Sequence, residues 1–469
     1  MLHHRQRYRR HACGAVFLIM LLVHVGCSRP PQPDPLELPL SEPASADVAD
    51  QRTIRQYQTA IQVESSLRSQ SSNVATNDWP QLYGPSRNSV AATQAVNLAW
   101  GPDGPKQRWS LSIGTGYGSP VVAGNRLVFN HRIDDEEIVQ CVDTESGETI
   151  WQFRYPTTFV CDVEYSNGPY STPVIDGDRV FAVGGQGQFF CLSLDSGAII
   201  WSRVLHKEYE MKDGIFPVGA SPMVIGDRVI FDVGAEDHGV GILAMDRNDG
   251  ADIWQSGDAP AGYCAPVAAT IHGQSFVFVM THLGLTSLDP ETGLADWSVS
   301  HYSRAPMSFN AVTPLVSDNK VLIVTGPGPG AVCLQINPDR TQQELWRDRR
   351  VIDCQYNTLM PVGSDVIAFT SAGQGGAELR SVDLATGKLN WKYHSLLRRG
   401  QGLVVNGSLV LVGERGHLAS VIPTATEANV LAFTAAPIMT EPCFAPPALA
   451  GKHLFVRDGE RLTCFDLRN

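Results

Sequence analysis

From about residue 119 the chain alternates short apolar runs with polar turns of two to five residues, a pattern that predicts β-strands rather than helices. The stretch from Cys191 to Trp201 shows the unit: Cys191, Leu192 and Leu194 suit a buried strand, Asp195 to Gly197 form a turn, and Ile199 to Trp201 resume the strand. The same hairpin returns as Cys141…Asp143…Gly147…Trp151, Leu243…Asp246…Gly250…Trp254, Leu285…Asp289…Gly293…Trp297 and Leu379…Asp383…Gly387…Trp391, with a looser copy from Cys333 to Trp346. Successive Trp residues from 151 to 391 lie 50, 53, 43, 49 and 45 positions apart by subtraction, a period that identifies a repeat architecture.

A second hairpin precedes each of these, opening on a small residue and Pro and turning on Gly-Asn or Gly-Asp. Examples are Ser119 to Phe129, Thr172 to Phe181 and Ser221 to Phe231. Two hairpins per repeat make four short antiparallel strands, the content of one propeller blade. First hairpins begin near Ser119, Thr172, Ser221, Ala265, Thr313, Met360, Leu403 and Ala445, which counts eight blades. The seventh lacks the Asp turn and the Trp, so seven blades remain an alternative.

The two ends of the repeat region complement each other. Gln107 to Leu111 has the form of a blade's final Trp strand with no blade before it, whereas the last repeat supplies three strands and stops at Asn469 without a Trp strand. Pairing the Trp109 strand with the strand holding Cys464 and Asp466 would close the ring and remove open sheet edges. The expected fold is an all-β, eight-bladed propeller of four-stranded antiparallel blades over residues 77–469.

Composition narrows the function. The 469 residues carry a net charge of −12, which gives no electrostatic reason to bind nucleic acid. Arg5, Arg7, Arg9 and Arg10 followed by an apolar run to Gly26 predict an export signal over 1–27, too short for a comfortable membrane span. Cys27 after Val25 and Gly26 resembles the bacterial lipobox, in which the Cys becomes lipid-modified. His24 departs from that pattern and leaves an ordinary signal peptide or an uncleaved anchor as alternatives. Residues 28–76, rich in Pro, Ser, Ala and Gln, read as a disordered tether. Cys141, Cys191, Cys333 and Cys464 share one strand position in different blades and are expected to be small buried hydrophobes rather than disulfide partners.

The strand ending in Asp, the Gly turn and the Trp strand together resemble the pyrroloquinoline-quinone-like (PQQ-like) repeat of eight-bladed propellers, over roughly Trp79 to Asn469. That family holds quinoprotein alcohol dehydrogenases and non-enzymatic outer-membrane assembly lipoproteins of the BamB type. With few insertions, this chain is closer in style to the second. The resemblance implies that Trp109, Trp151, Trp201, Trp254, Trp297, Trp346 and Trp391 dock between blades as structural residues.

Catalytic signatures are absent. A quinone dehydrogenase of this family would need its quinone, usually Ca²⁺, a catalytic carboxylate and often a Cys-Cys pair, and no Cys-Cys occurs. No zinc-protease, serine-hydrolase, phosphate-loop or Cys-x-x-Cys motif is present either. No catalytic, cofactor-binding or metal-ligating residue is assigned, and no cofactor is expected. Gly326 to Gly330 joins two strands and reads as a turn, and the charged tips His131–Glu137 and Glu236–His238 read as solvated hairpins.

One constellation stands out. Segments just before the first strands carry Tyr117, Tyr165, Asn167, Tyr170, Phe216, Tyr263, Phe309, Asn310, Tyr356, Asn357 and Phe444. In a propeller these segments converge on one rim, where they would either recognise a peptide or small ligand or plug the channel. The expected protein is a monomeric, exported, membrane-anchored periplasmic lipoprotein that recruits a protein or peptide partner. The alternative is a quinone-dependent alcohol or sugar dehydrogenase with an altered site.

Overall fold

The computed structural model describes residues 77–468 apart from 164, 212, 371–376 and 395–396. The expected export signal, Cys27 and the tether lie outside the described residues. Among those described, eight four-stranded antiparallel sheets follow one another along the chain. Blade 1 comprises Val121–Ala123, Arg126–Ile133, Glu136–Asp143 and Thr149–Pro156. First strands touch between blades 8 and 1, 1 and 2, 2 and 3, and 6 and 7, which places this edge of the blades on the axis and the fourth strands on the outer edge.

The seventh repeat is a full blade. Its strands Gly400–Val405, Ser408–Gly413, Leu418–Pro423 and Ala428–Phe433 pair in order without the Asp turn or the Trp. The count is therefore eight. Blade 8 takes Ala448–Ala450, His453–Arg457 and Arg461–Asp466 from the C-terminus and Lys106–Ser112 from the N-terminal side. Trp109 faces Cys464 across that pair, 464 − 109 = 355 residues apart, and Leu111 faces Leu462. Ring closure is as the termini predicted.

The repeat motif works across blade boundaries. Asp143 Oδ1 accepts the N–H groups of Glu145 and Ser146, which winds the turn, and Gly147 closes it at φ 74°. A side chain at Gly147 would come within 2.7 Å of the Trp109 ring from the preceding blade, and Gly197, Gly250, Gly293 and Gly387 lie equally close to Trp151, Trp201, Trp254 and Trp346. Gly is needed there twice over, for the left-handed backbone and for room. Each of the seven Trp indoles also donates to a backbone carbonyl of the next blade, for example Trp151 to Leu194 at 2.8 Å and Trp254 to Pro290 at 3.0 Å. An aromatic body buried between sheets in this way stabilises by about 3–5 kcal/mol relative to Ala. Cys141, Cys191, Cys333 and Cys464 sit directly opposite a Trp in the register, and all eight described cysteines are buried and free.

The small residue before each Pro also has a physical reason. Thr172 Oγ1 accepts the Ser119 N–H at 3.0 Å, Ser221 Oγ accepts the Thr172 N–H at 2.8 Å, and Thr313 Oγ1 accepts the Ala265 N–H. Hydroxyls of one blade thus satisfy backbone donors of the preceding blade where no strand partner exists.

Residues 79–91 cross the axis. Trp79 pairs with Val122, the Pro80 carbonyl accepts from Ile175, and Ser89 and Ala91 pair with Val404, so this segment ties blades 1, 2 and 7. Arg87 is buried on it, bonded to Gln81 and to the Pro222 carbonyl of blade 3. Burial away from carboxylates pushes the Arg87 guanidinium down to about 9.

Candidate functional site

The loop from each blade's outer strand to the next blade's first strand must cross the same rim. The aromatic residues in those loops are thereby carried together. Tyr117, Tyr165, Tyr170, Phe216, Tyr263, Phe309, Tyr356 and Phe444 line one cavity of about 240 Å³, with Leu82 and Tyr83 of the axial segment as a further wall.

The rings touch in sequence around the cavity. Tyr356 meets Phe444 at 5.2 Å between centroids, Phe444 meets Tyr117 at 5.3 Å, Tyr117 meets Tyr170 at 4.8 Å, and Phe216 contacts Tyr165, Tyr170, Tyr263 and Phe309. Several are edge-to-face, an arrangement that aromatic quadrupoles favour. Gly219 makes the packing possible, because a Cβ there would lie 2.0 Å from the Tyr263 ring. Tyr165 is 52% exposed and Met307 56% exposed, so the mouth is apolar.

Among the described residues no Asp, Glu, Lys, Arg or His lines this cavity, although the chain carries 84 acidic and basic residues (36 + 48). Burial raises the Tyr117, Tyr170, Tyr263 and Tyr356 phenols above their ordinary range, so they stay neutral. Arg399 stacks on Tyr356 at 5.3 Å from outside the lining and pairs with Glu414 at 2.8 Å.

The three amides grouped with the aromatics are not among the residues that line the cavity. Asn310 is buried, donates to the Thr281 and His301 carbonyls and accepts from Thr325 Oγ1. Asn357 is fully buried and donates to the Gly400 carbonyl at 2.7 Å, and Asn167 Oδ1 accepts the Cys161 N–H at 2.7 Å. Each side chain bonds backbone groups of its own or a neighbouring segment, a need that an amide in a loop meets readily. Leu82, Tyr83 and Gln401 line the cavity and were not foreseen, since only the closed ring brings the axial segment and blade 7 to this rim.

The chemistry of the lining does not fit a quinone cofactor. Pyrroloquinoline quinone is a tricarboxylate, and among the described residues the wall offers neither a cation to pair with it nor a carboxylate to hold Ca²⁺ or take a proton. Among the described residues no group of three or more His, Cys, Asp or Glu side chains is placed to hold a metal ion.

Comparison with known proteins agrees with the architecture. A family profile described as outer membrane protein assembly factor BamB matches residues 134–393, more than half of the chain. The chain belongs to that family. BamB of Moranella endobia (strain PCIT) is 28% identical over 121 residues, and BamB of Yersinia pestis is 26% identical over 158 residues. These stretches cover 26% and 32% of this chain and 27% and 36% of the relatives, about a third or less of their length. Among solved structures, BamB from Moraxella catarrhalis superposes with a TM-score of 0.55 at 15% identity, over 78% of this chain and 98% of its own. A quinohemoprotein alcohol dehydrogenase from Comamonas testosteroni superposes with a TM-score of 0.64 at 14% identity, over 88% and 84%. At these identities the likeness is one of fold, shared by binding proteins and enzymes alike.

Proposed function

We propose that this protein is a cell-envelope scaffold of the outer-membrane assembly type, a propeller held at a membrane by a lipid on Cys27 and recruiting a protein partner through its aromatic loop face. The observation that carries the reading is the convergence of eight aromatic side chains from seven separate pre-blade segments on one uncharged cavity with an exposed apolar mouth. Contiguous apolar surface of this kind marks interaction sites. Membership of the BamB family supports a binding role in the envelope.

The test is affinity capture from envelope extracts with the wild-type chain and with Tyr117, Tyr165, Phe216 and Tyr263 changed to Ala together. Loss of a co-purifying protein in the folded variant is expected. Equal recovery by both would overturn the role of this face. Fractionation tests the anchor separately: wild type should sediment with membranes and Cys27→Ser should be released or unprocessed.

A further inference from the structure

Several polar groups at the cavity wall are committed elsewhere, while the Ser119 hydroxyl and the Tyr356 phenol are buried with no hydrogen-bond partner among the described residues. Thr172, Ser221 and Thr313 each accept a backbone N–H from a neighbouring blade, and Ser308 Oγ donates to the Gly326 carbonyl at 3.2 Å. The Gln401 amide nitrogen donates to the Tyr356 and Phe444 carbonyls at 2.9 Å, and its oxygen accepts from Thr358 at 2.6 Å. A charged group would lose hydration against a wall whose described residues hold no counter-charge.

Size limits the occupant further. A dry protein cavity of about 150 Å³ takes a benzene ring, so about 240 Å³ holds one aromatic or large aliphatic side chain with a little of its backbone. The rest of the ligand must lie outside, over the exposed Tyr165 and Met307 at the mouth.

We infer that the cavity is an anchor pocket for a single uncharged aromatic or bulky aliphatic side chain, projected from an exposed segment of the partner protein. This inference rests on the recruiting role proposed above and names the chemistry that role would use. Recognition would come from apolar contact and ring packing, with the partner's flanking residues free to vary.

The experiment uses a blocked Gly/Ser pentapeptide carrying Trp, Phe, Leu, Lys or Glu at its centre, mixed with the full chain. Saturation-transfer NMR reads contact at the central side chain, and competition against the Trp peptide ranks affinities. Trp, Phe and Leu should bind saturably and compete, with Lys and Glu at least about tenfold weaker. Ala311→Trp, which fills the cavity from a lining position, should abolish the signal, with its melting temperature read alongside. Phe309→Ala should weaken it. Equal or tighter binding of Lys or Glu, no saturable binding of any peptide to wild type, or undiminished binding to folded Ala311→Trp would each overturn the inference. Peptide binding that behaves as expected while envelope capture ignores the aromatic face would leave the pocket standing and remove the recruiting role.

Discussion

At seven blade junctions a Trp indole reaches over the boundary to a carbonyl of the next blade, ending with Trp391 on Thr424 and Trp109 on Thr144. Between blades 7 and 8 the corresponding position is Ala432, paired with Ser420 as Trp391 is with Ser381. The carbonyl an indole would have reached is that of Leu467, and it accepts the Asn97 N–H at 2.6 Å instead. Leu98 is buried there with Val96 and Trp100 against the Cys464, Phe465 and Leu467 cluster, Ser420 Oγ donates to the Leu98 carbonyl, and Ala435 donates to Pro102 at 2.8 Å. A junction therefore needs apolar volume and one N–H donor at the right place, and a chain segment from outside the repeats supplies both. The N-terminal side of the propeller closes the ring twice, as the fourth strand of blade 8 and as the missing latch beside it.

Removing the shared strand should do the most damage. Deletion of Gln107 to Ile113 exposes the backbone of the Arg461–Asp466 strand and removes Trp109. The product should aggregate or lose cooperative melting, read by calorimetry and light scattering.

Single latches rank next. Trp254→Ala should cost about 3–5 kcal/mol in denaturant unfolding, and Leu98→Ala about 2–4 kcal/mol if the segment is a true equivalent. A negligible loss at Leu98 would show that blades 7 and 8 hold without it. Ala432→Trp should also destabilise, by about 1–3 kcal/mol, because Leu98 and its neighbours already occupy the space.

Acid should act on the closing strand. Burial lowers the His131 imidazole to about 4, and the Gly114 N–H, just beyond that strand, donates to its Nδ1 at 2.9 Å. The folded state favours neutral His131, so its contribution is whole above about pH 6.5 and is lost as pH falls toward 4. His131→Asn, which keeps an acceptor, should make the fall of stability over that window shallower. His301, likewise lowered to about 4, should leave part of the slope in place. An unchanged slope in the variant would remove His131 from the account.

The smallest effect separates two glycines. Gly197→Ala must bear both φ 71° and the Trp151 ring at 2.6 Å, whereas Gly226→Ala at φ 59° meets nothing within 4 Å. Unfolding should show about 1 kcal/mol of strain at Gly226 and more at Gly197. Equal costs would mean that the Trp does not depend on its Gly.

Blade number, strand content and ring closure were legible because each is written locally: a turn, an apolar run, a Trp, and a count that left one strand over at the N-terminal side and one short at the C-terminal side. Even the looser fifth copy keeps the rule, for Arg340 takes the left-handed turn position at φ 67° where other blades have Gly. What the local pattern carries no trace of is which distant groups meet. The amides Asn310 and Asn357 share segments with Phe309 and Tyr356, yet backbone groups in need of partners draw them inward while the rings stay at the cavity. The segment 96–102 carries no repeat motif in sequence, and only the gap left by Ala432 makes it a latch. The sequence by itself determined the repeating unit, because turn chemistry and alternation act over a few residues. Tertiary structure alone decided the neutral cavity and the eighth junction, because both arise where chain ends more than 300 residues apart are brought together by the closing of the ring.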